Sequence, residues 1–138
     1  MNNLNILKLE NAVLQKQIDV VRRNIRAGQN RDLTREEVEL LRGAGEHYAK
    51  KWEVLYPMLK QGYGAAGWVK QMKMEEDEIV AELRSLVRFP DKDAWEEKVE
   101  AVLRKMERMI YEEEYMLYPN CLQFSRRGEG IWMNRSDR

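Results

Sequence analysis

Five residues carry the chemistry open to this chain: His47, Lys51, Glu76, Glu113 and Glu114. His47 is the only histidine. An imidazole grouped with carboxylates is a ligand set for Fe(II), Mn(II) or Zn(II). Without a metal, the same groups make an internal salt-bridge and hydrogen-bond cluster, with Lys51 and His47 facing Glu76 and Glu113. Lys51 separates the two cases, because an ammonium has no lone pair to offer a metal. Paired Glu76 and Glu113 have the residue types for acid–base work. No nucleophile is supported, however: Ser85, Ser125, Ser136 and Cys121 have no second base near them in sequence. "GYGAAG" (62–67) reads as an interhelix loop, since no strand precedes it to make a phosphate cradle. A non-enzymatic protein is expected.

These residues sit on four amphipathic segments. Apolar residues recur at steps of three and four. The first stripe is Leu4, Leu7, Asn11, Leu14, Ile18, Val21 and Ile25, stopped by Gly28 and "QNRD". The second runs through Val38, Leu41, Ala44, His47 or Tyr48, Lys51 or Trp52, Leu55 and Met58. "TREE" offers it a capping box from Thr34 to Glu37. The third holds Trp68, Val69, Met72, Glu75 or Glu76, Ile79, Leu83 and Leu86. After "RFPDKD", with Asp91 or Asp93 as cap, the fourth holds Trp95, Val99, Val102, Met106, Met109 or Ile110, Glu113, Met116 and Leu117. Short connections predict an all-α, up-down-up-down four-helix bundle. Each stripe carries a polar residue: Asn11, His47 with Lys51, Glu76 and Glu113. Buried charge is costly unless paired or bound to a cation. Eight methionines, mostly at core spacing, read as adaptable packing.

Composition narrows the function further. Lys plus Arg and Asp plus Glu number 24 each, so the formal net charge is zero. No field of one sign recruits nucleic acid or an anionic membrane, and the Arg22–Arg23 and Arg126–Arg127 pairs read as solvated surface. One cysteine forms no internal disulfide. No stretch approaches the roughly 20 apolar residues of a membrane span, and no secretory leader is evident. A cytoplasmic protein is expected. A single bundle over residues 1–122 is followed by a polar tail over 123–138, in which Ile131 and Trp132 are expected to dock a short terminal helix.

An internal echo joins two helices: "WEVLYP" ends at Pro57 and "YMLYP" at Pro119. Both are expected to finish at a proline that disturbs the last turn, and pairing the prolines sets Lys51 opposite Glu113. With these motifs the chain resembles the hemerythrin-like, HHE cation-binding family, in the branch often followed by a PAS sensor domain. "LKLENAVLQKQI" is similar to the first-helix "EN…L" segment of that family. "HYAKKWEVLYPML" resembles its "HY…LFP" segment, "MKMEEDEIVAEL" its "HDEI" segment and "MIYEEEYMLYP" its "EE..LFP" segment. "IWMNRSDR" is similar to the stretch leading into PAS.

The resemblance implies a hemerythrin-like bundle and a di-iron site of several histidines with bridging carboxylates. Residue by residue, His47 matches the second-helix histidine. The carboxylate expected one turn later falls at Lys51, and Glu53 lies on another face. The histidine of "HDEI" falls at Glu76. First-helix histidines fall near Asn2 and Asn5. Glu113 and Glu114 match the "EE" pair, while Met109 stands where many members have histidine. One histidine cannot build such a site. The ferritin-type Glu-x-x-His alternative also fails, because Ala44 lies three residues before His47. The leading expectation is no cofactor, with Lys51 replacing metal charge. The chain then acts in signalling, as a regulatory module that binds a protein partner or itself. The alternative is a sensor holding iron or another divalent metal at His47, Glu76, Glu113 and Glu114.

Overall fold

Apolar periodicity in this chain is converted into helices packed lengthwise on one another. The computed structural model describes residues 3–58, 67–91 and 93–124. α1 spans Asn3–Arg26, α2 Arg31–Leu40 and α3 Ala44–Met58, the last two joined by a 3-10 turn over Leu41–Gly43. α4 spans Gly67–Arg88 and α5 Trp95–Glu112. A π-helical segment over Glu113–Leu117 then leads without a break into α6, Tyr118–Phe124. α2 and α3 together form one long bundle helix, and α5 through α6 form another. The fold is therefore an all-α four-helix bundle with no strand among the described residues.

Side-chain pairs fix the topology. Asn11 meets Glu113 and Arg22 meets Glu100, so α1 and α5 run antiparallel. Asn24 meets Glu37 and Glu10 meets His47. Arg35 reaches Val87 while Trp52 reaches Glu76. Each successive pair of long helices is antiparallel, the up-down-up-down arrangement. The stripes meet in one core that includes Leu7, Ile18, Leu41, Leu55, Ile79 and Leu103. Each such side chain contributes roughly 1.5–3 kcal/mol on burial.

Three local expectations are corrected. Asn30, not Thr34, caps the second bundle helix: its Oδ1 accepts from the backbone N–H of Asp32 at 2.8 Å and of Leu33 at 3.4 Å. The helix thus begins a turn earlier, within "QNRD". Thr34 lies inside it, and Glu37 accepts from Asn24 instead of closing a box. Neither Asp91 nor Asp93 caps α5. That position is Ala94, left-handed at φ 58° and giving no side-chain cap, while the Trp95 indole anchors the turn through the Leu86 carbonyl at 2.9 Å. Pro119 does not end the last helix. The π register carries the backbone past it to Phe124, leaving Met116 49% exposed instead of on the stripe.

Arg22 is likewise not solvated surface. Its side chain is 16% exposed and forks between Glu100 at 3.0 Å and Glu107 at 2.7 Å. Gly28 does close α1 as expected. At φ 71° it completes a Schellman turn, with Gln29 N–H on the Asn24 carbonyl and Gly28 N–H on that of Ile25. No helix among the described residues is long and apolar enough to cross a membrane. The expected terminal helix at Ile131 and Trp132 lies outside the described residues, as does most of the "GYGAAG" loop.

Candidate functional site

The polar residues of the four stripes meet at one level of the core. Glu113 is at the centre, fully buried. Its Oε1 accepts from Asn11 Nδ2 at 2.9 Å, from His47 Nε2 at 2.9 Å and from the Tyr118 hydroxyl at 3.1 Å. Its Oε2 accepts from Lys51 Nζ at 2.7 Å. Lys51 is also fully buried and donates a second hydrogen bond to Glu76 Oε2. The other oxygen of Glu76 accepts from the Trp52 indole at 2.6 Å. The ammonium is further lodged between the Trp52 and Tyr48 rings, 4.7 and 5.2 Å from their centroids. Toward α1, His47 Nδ1 lies 2.8 Å from Glu10 Oε1, and Glu10 also pairs with Lys50.

Local structure explains this convergence. His47 and Lys51 are one turn apart on α3, so both project inward. The π segment holds Glu113 and Leu117 inside together and turns Tyr118 inward behind them. An α-helical register would spread these three over a wider arc.

The electrostatics of the cluster follow from its contacts. Burial alone would raise the Glu113 carboxyl, but the His47 hydrogen bond and the Lys51 charge hold it at about 2. Burial opposes a charge on His47, yet its hydrogen bond to Glu113 and the pairing with Glu10 raise its pKa. A neutral imidazole has one N–H to give and the imidazolium has two, so two facing carboxylates favour the protonated ring. Glu10 is lowered: burial is outweighed by hydrogen bonds from Lys50 and His47. Glu76 goes the other way, raised by burial beyond what Lys51 and Trp52 restore. Burial and the Glu113 charge push the Tyr118 hydroxyl up, so it stays protonated and donates.

A family model described as the hemerythrin HHE cation-binding domain matches residues 2–121. The chain belongs to this family. Comparison with curated proteins and with solved structures gives no match.

Membership in the hemerythrin HHE family implies a bound cation, and the residues present do not fit one. Both ring nitrogens of His47 face carboxylates, and both oxygens of Glu113 are engaged. An ammonium stands between Glu76 and Glu113, where like charge would repel a cation. Among the described residues, no group of three or more His, Cys, Asp or Glu is arranged to hold a metal ion.

Of the four candidate ligands, His47 and Glu113 are in direct contact, and Glu76 joins them through Lys51. Glu114 joins them through Asn11, whose Nδ2 donates to its Oε2 at 3.1 Å. Asn11, seen in the sequence only as a polar stripe member, binds both carboxylates, and its own Oδ1 has no hydrogen-bond partner among the described residues. Sequence reasoning missed Glu10 and Tyr118. The signal for Glu10 was its place beside Asn11 in "EN". Tyr118 had none, because its inward turn depends on the π register.

Proposed function

We propose that this hemerythrin-family bundle works without a metal, as a regulatory or protein-interaction module. In it the Lys51 ammonium takes the place of metal charge. One observation carries this: a fully buried ammonium joins Glu76 and Glu113, the carboxylates left facing the core. The ion-paired groups of the cluster balance one another. Lys50, Lys51 and protonated His47 face Glu10, Glu76 and Glu113, three charges of each sign. A core so closed offers no vacant acid, base or nucleophile to a substrate. Cys121, the single thiol, is buried and its pKa pushed up to about 12, far from a reactive thiolate. Activity is therefore assigned to the surface, through a protein partner or a second copy.

A second reading is a metal-dependent sensor with a reduced His/carboxylate site. It is favoured by membership in a cation-binding family and by the direct contact of His47 with Glu113.

The deciding experiment uses protein purified without a histidine tag. Fe(II) is added anaerobically, bound metal per chain is measured, and the absorbance spectrum is taken after oxygen. We expect no retained iron and an unchanged melting temperature. In Lys51→Glu the added carboxylate should either recruit iron or lower stability by about 3–5 kcal/mol, the scale for leaving buried charge uncompensated. A Lys51→Glu protein that bound no more iron and kept full stability would remove Lys51 from this role. Stoichiometric iron in the wild type, lost in His47→Ala and Glu113→Ala, would replace the proposal with the sensor.

A further inference from the structure

α1 is apolar on two faces. One is the core stripe through Leu7, Leu14, Ile18 and Val21. About a third of a turn round the helix, Ile6, Leu9 and Val13 are 37%, 55% and 55% exposed, and partly buried Val20 continues the row. A helix needs only one apolar stripe to join a bundle. Single exposed apolar residues need no explanation, but an aligned row of them does.

The second row has heptad spacing. Ile6, Val13 and Val20 take the first position of successive heptads, Leu9 the fourth, and Lys16 the next fourth. β-branched residues at the first position with leucine at the fourth favour two-stranded pairing of helices. Beside the row, Leu40, 61% exposed, forms the far wall of a groove of about 340 Å3 between α1 and the α2–α3 junction.

We propose that this face is a homodimer interface, with α1 packed on α1 of a second copy about a two-fold axis and Leu40 closing each flank. This rests on reading the bundle as an interaction module, and it names the surface and the partner. Size supports it. Ile6, Leu9, Val13 and Leu40 together leave on the order of 400 Å2 exposed, within the range of the largest patch on a typical monomer. A two-fold contact uses the same patch on both copies, so with its rim it passes the roughly 1,000 Å2 of a specific interface. Charge supports it too. The residues flanking Ile6–Val13 include uncharged Asn5, Ala12 and Gln17, Glu10 is paired with Lys50, and Lys16 and Glu46 stand at the rim with opposite signs. An apolar seam whose rim charges are of both signs suits a copy of itself better than a partner helix strongly charged in one sign.

Sedimentation or light scattering at tens of micromolar protein tests this. The wild type should show twice the 16.5 kDa chain mass. Leu9→Glu and Leu40→Glu, at exposed positions, should each halve it while keeping helical circular dichroism. Tyr115→Glu, in the separate exposed pair with Tyr111, should remain dimeric. If a charged variant unfolds, Leu9→Ser decides in its place. A monomeric wild type overturns the proposal, whether the face takes another protein or an apolar ligand. So does a dimer that survives Leu9→Glu and Leu40→Glu, or one lost in Tyr115→Glu. Metal content separates this from the preceding proposal: a metal-free monomer sinks the interface alone, and an iron-loaded dimer sinks the metal-free reading alone.

Discussion

His47 and Glu113 give the core opposite responses to acid and base. The native pKa of His47 lies above its ordinary 6.5. Its contribution to stability is therefore complete below about pH 6.5 and is lost as pH rises through the native value. The native pKa of Glu113 is about 2 against an ordinary 4.5, so its contribution is present above 4.5 and is lost as pH falls toward 2. Glu10 follows Glu113, while Glu76, whose pKa is raised, regains stability on acidification and blunts the acid limb. The melting temperature should be highest between about pH 4.5 and 6.5 and should decline on the alkaline side. In His47→Gln the decline that begins near pH 6.5 should disappear, leaving only the one above about pH 9, where the unfolded Cys121 thiol ionises before the buried one, as thermal melts across pH would show. An unchanged alkaline limb in that variant would mean that His47 is not held protonated. This cluster was foreseeable as a group, because a histidine, a lysine and two glutamates fell on apolar stripes. Its wiring was less foreseeable: Glu10 lies at the edge of its stripe, where periodicity assigns no side.

At the scale of elements, termini and registers depart most from expectation. Pro119 has no N–H, so a helix passing through it loses one hydrogen bond of its ladder. Here the ladder shifts just before that point: the Tyr118 N–H reaches back to the Glu113 carbonyl, five residues away. The extra residue in the turn exposes Met116 and brings Tyr118 to Glu113. Sequence periodicity assumes a constant 3.6 residues per turn and cannot register such a change. Ala94 is a second case. Two aspartates nearby looked like caps, but the turn closes with a left-handed alanine, a conformation costing roughly 1–2 kcal/mol in any residue with a Cβ. Ala94→Gly should stabilise the fold by about 1 kcal/mol, read as a higher denaturation midpoint with an unchanged slope. A lower midpoint would show that Ala94 contributes packing that outweighs its strain.

For the whole molecule, the bundle and its antiparallel order were legible because all four long apolar stripes have helical period and short connections leave little topological choice. The second apolar face of α1 was not. Ile6, Leu9 and Val13 count toward the hydrophobicity of the helix in sequence, and only packing reveals that the core takes another stripe. The same holds for Arg22, whose charge suggested solvent until Glu100 and Glu107 were found enclosing it.

The complete burial of Lys51 also has a consequence for chemical reactivity. An ammonium held by Glu76 and Glu113 under two aromatic rings is closed to acylating reagents, whereas Lys8, Lys16, Lys50, Lys70, Lys73 and Lys98 are exposed. Brief acylation of the native protein, followed by peptide mass mapping, should mark those six and spare Lys51. Its labelling should then track the fraction of molecules that open their core. Early marking of Lys51, together with the surface lysines, would mean that the bundle parts locally at α3 long before it unfolds as a whole.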